Sequence, residues 1–230
     1  MQFRIGLAIV AATVFFTGCA TPPQPPVPLA STAMSTTTDR IGVAMAPLPK
    51  VDTYLPGADC LLCLAAASLA NHSLTAHTQK LPVDDVRKLK EDMAEAIRKR
   101  GAQVQVIADD VDVASLPDVS PKAPNGALKD FASLGSKYGI NKLVVLQINM
   151  LGMLRTYAAY FPTSDPKGVL RGTGYMVNLG TNTYEWYLPV DVVRSSDGPW
   201  DEPPAFPGLT NAYFQAIEQG KDQFVKPFRE

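Results

Sequence analysis

The chain has 230 residues, with 21 lysines and arginines against 22 aspartates and glutamates and a formal net charge of −1 at neutral pH. That balance offers no basic surface for phosphates, so no nucleic-acid partner is expected. Its apolar residues, 46% of the whole, can fill one sizeable core, which suits a single globular domain with an appended tail.

At the N-terminus Arg4 precedes Ile5 to Phe16, an uncharged apolar stretch well short of the ~20 residues that a spanning helix needs. Thr17 and Gly18 then place small residues before Cys19. The segment resembles a bacterial lipoprotein signal peptide, with Phe16 where leucine is usual. The resemblance implies removal of residues 1–18, a diacylglycerol on the Cys19 sulfur and a further acyl chain, such as palmitate, on its amine. Each buried CH₂ contributes about 0.8 kcal/mol, so two or three chains hold a protein firmly to a membrane without spanning it. Ala20, where aspartate would imply retention, points to the periplasmic face of the outer membrane. No cofactor is expected apart from this covalent lipid. Residues 19–39 carry the lipidated cysteine and a stretch rich in proline, serine and threonine, read as a spacer reaching up to roughly 60 Å.

Residues 40–230 are read as one periplasmic α/β domain. Ile41 to Ala46 is a short apolar run ended by prolines and fits a buried strand. Residues 52–80 contain an apolar helical insertion centred on Leu61 to Leu69, too short to span a bilayer and without a basic face; a buried insertion or a subunit contact is expected over lipid contact. Between Pro82 and Gly101, Val86, Leu89, Met93 and Ile97 recur at helical spacing, with acids early, bases late and glycine as the stop. Gln103 to Ala108 alternates as a strand, and a proline-rich loop follows. Asn125 to Gly139 is read as a helix burying Leu128, Phe131, Leu134 and Tyr138. Lys142 to Ile148 is almost continuously apolar, as expected of a central strand covered on both faces. Val169 to Leu179 and Tyr184 to Arg194 flank the polar turn Gly180-Thr181-Asn182-Thr183 and form an antiparallel hairpin, and Thr210 to Val225 makes a last helix. The fold class is therefore α/β: a mixed sheet of about five strands with helices packed on it, ending in a hairpin and a C-terminal helix.

This order of elements, with Lys99-Arg100-Gly101 and Lys137-Tyr138-Gly139-Ile140 before strands and Val177-Asn178-Leu179-Gly180 leading to Trp186, resembles periplasmic lipoprotein domains related to the TolB amino-terminal domain. That group includes the curli secretion lipoprotein and the lipoprotein activator of penicillin-binding protein. The resemblance covers about Ile41 to Arg194, with Asn178 and Asn182 in place of the usual aspartate and glycine of the turn. It implies a role in envelope assembly or secretion through a protein partner.

Cys60-Leu61-Leu62-Cys63 is the only C-x-x-C, and His72 and His77 are the only histidines. Three readings are open: a local disulfide first, packed thiols second, a metal site third, since the spacing departs from zinc-finger patterns. No thioredoxin-like order surrounds the dithiol. Tyr157, Tyr160 and Phe161 on one connection, and Trp200 and Phe206 on another, are candidate partner contacts or packing groups. No G-x-S-x-G, H-E-x-x-H or phosphate loop is present, and Gly172-Thr173-Gly174 lies within a predicted strand, so no catalytic residue is assigned. The leading expectation is a non-enzymatic accessory lipoprotein that binds an envelope protein. The alternatives are a self-associating secretion or pore component, disfavoured by Arg171, Glu185, Pro189 and Asp191 in the hairpin, and a metal or redox role for the C-x-x-C segment.

Overall fold

A computed structural model of the chain describes residues 23–34, 38–121 and 123–229. Cys19 and the expected leader lie outside them. In chain order the elements are β1 (Arg40–Met45), β2 (Asp52–Tyr54), α1 (Leu61–Ala70), α2 (His72–Thr78), α3 (Asp84–Arg87), α4 (Leu89–Lys99), β3 (Gln103–Val106), α5 (Ala132–Tyr138), β4 (Lys142–Leu154), β5 (Tyr157–Ala158), β6 (Phe161–Pro162), β7 (Lys167–Asn178), β8 (Thr183–Ser195) and α6 (Pro207–Arg229).

The sheet runs β3-β1-β4-β7-β8, with β2 beside the far half of β4. β1 is parallel to β3 and β4, whereas β7 runs antiparallel to both β4 and β8. The apolar run at β4 explains its central place: Val144, Leu146 and Ile148 face one core and Leu143 and Val145 the other. On the first face α4 and α6 cover the sheet, burying Met93, Ile97, Tyr213, Ile217, Phe224 and Phe228. On the second, α5 and the connection after β3 bring in Phe131, Leu134 and Ile107. The β7–β8 hairpin completes the sheet with β8 at its edge, and Trp186 of β8 is set edge-on against Phe228 at 4.8 Å.

Close approach accounts for the glycines in β7. A Cβ on Gly174 would sit 2.5 Å from the Trp186 ring, and one on Gly172 would sit 2.5 Å from the Gln147 carbonyl oxygen, beside the register shift between Ile148 and Met150. Gly172 thus serves a close backbone contact at the bulge, and Gly174 makes room for the Trp186 ring.

Three elements differ from the sequence reading. The helix between Pro82 and Gly101 breaks at Lys88 into α3 and α4. The helix expected from Asn125 is only Ala132–Tyr138, and Leu128 is exposed. Asn125 adopts a positive φ, and bridges from Gly126 to Thr183 and from Lys129 to Asp118 hold this stretch extended. The spacer expected to hang free is partly docked: Val27 exchanges two backbone hydrogen bonds of 2.9 Å with Tyr187, and Ala33 and Met34 are buried. Lys142 fixes the end of this segment, donating to the Ala33 carbonyl at 2.7 Å and pairing with Glu185 at 2.9 Å and Asp39 at 3.1 Å. Burial pulls the Lys142 pKa down, but the hydrogen bonds to Glu185 and Asp39 outweigh it and leave the ammonium above the ordinary lysine value.

Candidate functional site

Beyond the end of the main sheet, residues 52–80 and 155–164 build a lobe. β2 lies parallel to the last residues of β4, and the pairing continues as Tyr157 donates its amide to the Pro56 carbonyl at 2.8 Å and Ala159 to Gly57 at 3.0 Å. Gly57 has a φ of +88°, and a Cβ there would collide with the Tyr157 carbonyl. Glycine is what lets these two strands come so close.

Cys60 is the N-cap of α1, its sulfur accepting the Cys63 amide at 2.9 Å, and the two cysteines are joined as a disulfide. At the other end of α1, the fully buried Asn71 donates to the Ala67 carbonyl at 2.7 Å and to the Tyr157 hydroxyl at 2.6 Å. Its side-chain oxygen accepts from Arg155 at 3.0 Å. The Arg155 guanidinium also lies 4.9 Å over the Trp200 ring, and Trp200 stacks on Phe206 at 6.3 Å. Phe206 in turn touches His77, whose ring nitrogen is 2.8 Å from the Thr210 hydroxyl. Burial, and then the Lys80 charge, hold the His77 pKa below its ordinary value.

This framework sorts the candidate residues. Tyr157, Trp200 and Phe206 take the packing alternative: the first is buried and the other two stack on each other. Tyr160 and Phe161 stand exposed, close to α1, with the Tyr160 hydroxyl 3.8 Å from the Cys60 sulfur. His72 is exposed and His77 turns toward α6, so neither joins the cysteines. Among the described residues no three His, Cys, Asp or Glu side chains converge as a metal site.

The helix α1 itself contradicts the expected buried insertion. It rests on the domain through Cys63 and Ala67 alone, one turn apart on one face. Leu61 is 84% exposed, Leu62 70%, Leu69 78% and, in β6, Phe161 74%. Of the eight large apolar side chains exposed among the described residues, six belong to this lobe. The sequence marked the segment as apolar but not which way it faces. It missed Asn71 and Arg155 as the groups that hold the lobe; the one available sign was a polar residue closing an otherwise apolar helix.

A second concavity, a groove of about 690 Å³, follows the docked segment and is lined by Val27, Leu29, Leu188 and Pro227 with Arg100 at its edge. It holds no paired acid and base among those lining residues.

No family model matches the chain, and no curated protein matches it. Among solved structures, a PelC dodecamer from Paraburkholderia phytofirmans is 9% identical with a TM-score of 0.34, covering 84% of this chain and 89% of that one. Protein XCC0632 from Xanthomonas campestris is 10% identical with a TM-score of 0.40, covering 86% and 88%. Lipoprotein GNA1162 from Neisseria meningitidis is 12% identical with a TM-score of 0.28, covering 79% and 96%. At these scores the likenesses carry no functional argument.

Proposed function

We propose that the protein is a lipid-anchored outer-membrane lipoprotein whose lobe docks a periplasmic or outer-membrane protein, acting as a non-enzymatic accessory factor in envelope assembly. The observation that carries the docking role is α1, apolar on all sides and held by two residues of one face. A helix without a polar face belongs inside something, either lipid or protein. α1 carries no charged residue and Asp59 precedes it, so it lacks the basic flank that draws helices to anionic headgroups. Leu61, Leu62, Leu69 and Phe161 expose large apolar side chains in one lobe, and an exposed apolar patch of this kind marks an interaction surface. The anchor rests on the Cys19 segment and on the resemblance it carries.

A photoreactive residue at position 62 of the full chain, with position 95 on the outer face of α4 as control, tests the docking role in intact cells. One dominant protein captured from position 62 alone is expected. The same mixture from both positions, or lipid adducts alone, overturns it; a second copy of this chain would reassign the lobe to self-association. For the anchor, Cys19→Ser should release the protein from membranes.

A further inference from the structure

The disulfide inside the lobe has the layout of an exchange centre. Cys60 is exposed at the helix N-cap, whereas Cys63, one turn in, is 3% exposed. An incoming thiolate can reach the first sulfur and not the second. The Cys63 amide, 2.9 Å from the Cys60 sulfur, and the Tyr160 hydroxyl, 3.8 Å from it, are both placed to donate to charge developing there. The positive end of the ten-residue helix adds to them. As a staple the bridge closes the short loop of a three-residue separation, where the stabilisation from loop closure is smallest. Leu61 and Leu62 between the cysteines, and Phe161 next to Tyr160, expose apolar side chains suited to an unfolded chain.

We propose that Cys60 and Cys63 form a thiol–disulfide exchange centre for cysteine-bearing, partly unfolded polypeptides. The polypeptide specificity rests on the docking reading of the same lobe. A substrate thiolate attacks the Cys60 sulfur, the Cys60–Cys63 bond breaks, and Cys63 leaves as a thiolate that takes a proton from water. The second substrate thiolate then attacks the substrate sulfur of the mixed disulfide, and Cys60 leaves. Two electrons pass from the substrate dithiol to the protein, and the substrate's two thiol protons are balanced by those on Cys60 and Cys63. The step is reversible and needs no further reactant. It asks nothing of a thioredoxin-like sheet, because every group involved lies in this lobe.

The test uses the full chain with oxidised glutathione and with a leucine-rich peptide carrying an internal disulfide as probes. Cys63→Ser should form a mixed disulfide with glutathione at least about tenfold faster than Cys60→Ser, and adding Tyr160→Phe should slow it several-fold. Equal rates for the two cysteine variants overturn the exchange centre. The peptide should react faster than glutathione, and Leu62→Ser should remove that advantage alone. Fast glutathione exchange without any peptide advantage leaves the exchange centre standing and overturns docking; a crosslinked partner without biased exchange does the reverse. Should the variants fail to fold, the wild-type protein mixed with a reduced dithiol peptide decides by mass: a gain of about 2 Da by the protein with an equal loss by the peptide supports exchange, and unchanged masses overturn it.

Discussion

α4 and α1 are helices of 11 and 10 residues with opposite arrangements. α4 carries Glu91, Asp92, Arg98 and Lys99 at its ends and buries Leu89, Met93, Ala96 and Ile97 against the sheet. α1 has no charge and buries two small residues. The more polar helix is the better buried. Burial follows from having one apolar stripe and a surface for it, and a helix apolar all round leaves most of itself for something outside the domain.

Breaking the ordered side should have the largest effects. Lys142→Ala leaves Asp39 and Glu185 facing each other without their cation and should cost about 4 kcal/mol in denaturant unfolding, loosening residues 23–34 as well. Ile97→Ala, in the fully buried stripe of α4, should cost about 3 kcal/mol by the same measurement. Opening the disulfide with Cys60→Ser and Cys63→Ser should act on the lobe only: about 2 kcal/mol, or roughly 30-fold faster amide exchange across residues 61–70, with the global midpoint little changed. Leu69→Ser in α1 should change stability by less than about 0.5 kcal/mol while removing partner crosslinks. A loss like that of Ile97→Ala would mean α1 packs within the domain, and the contrast would fail.

The smallest effect is a pH dependence. Because the folded pKa of His77 is lowered, its contribution is complete above the unfolded value near 6.5 and is lost as the pH falls through the folded value. Between pH 7.5 and 5.5 the wild type should lose more thermal stability than His77→Gln, measured as melting midpoints.

The strands were legible because their patterns depend on near neighbours: the apolar run from Leu143 to Leu146, with Ile148 beyond Gln147, puts buried side chains on both faces. The missing turns before α5 were not, because the stretch from Asn125 to Lys129 is set by bridges to Asp118 and Thr183, and Thr183 lies more than fifty residues away. The site was half legible. Its apolar helix and paired cysteines stand in the sequence, yet the network from Asn71 to Arg155 and Tyr157 joins residues more than eighty positions apart, so no local pattern reports it. Separation in sequence likewise hid the internal use of Trp200, whose ring lies under Arg155.

The docking of residues 23–34 changes the mechanics of the proposed anchor. Between a lipid on Cys19 and Pro23 there are four peptide steps, which extend at most to about 14 Å. With that anchor in place, a leash that short would make the domain a float on the membrane surface rather than a buoy on a long line. Its movement would then be close to two-dimensional.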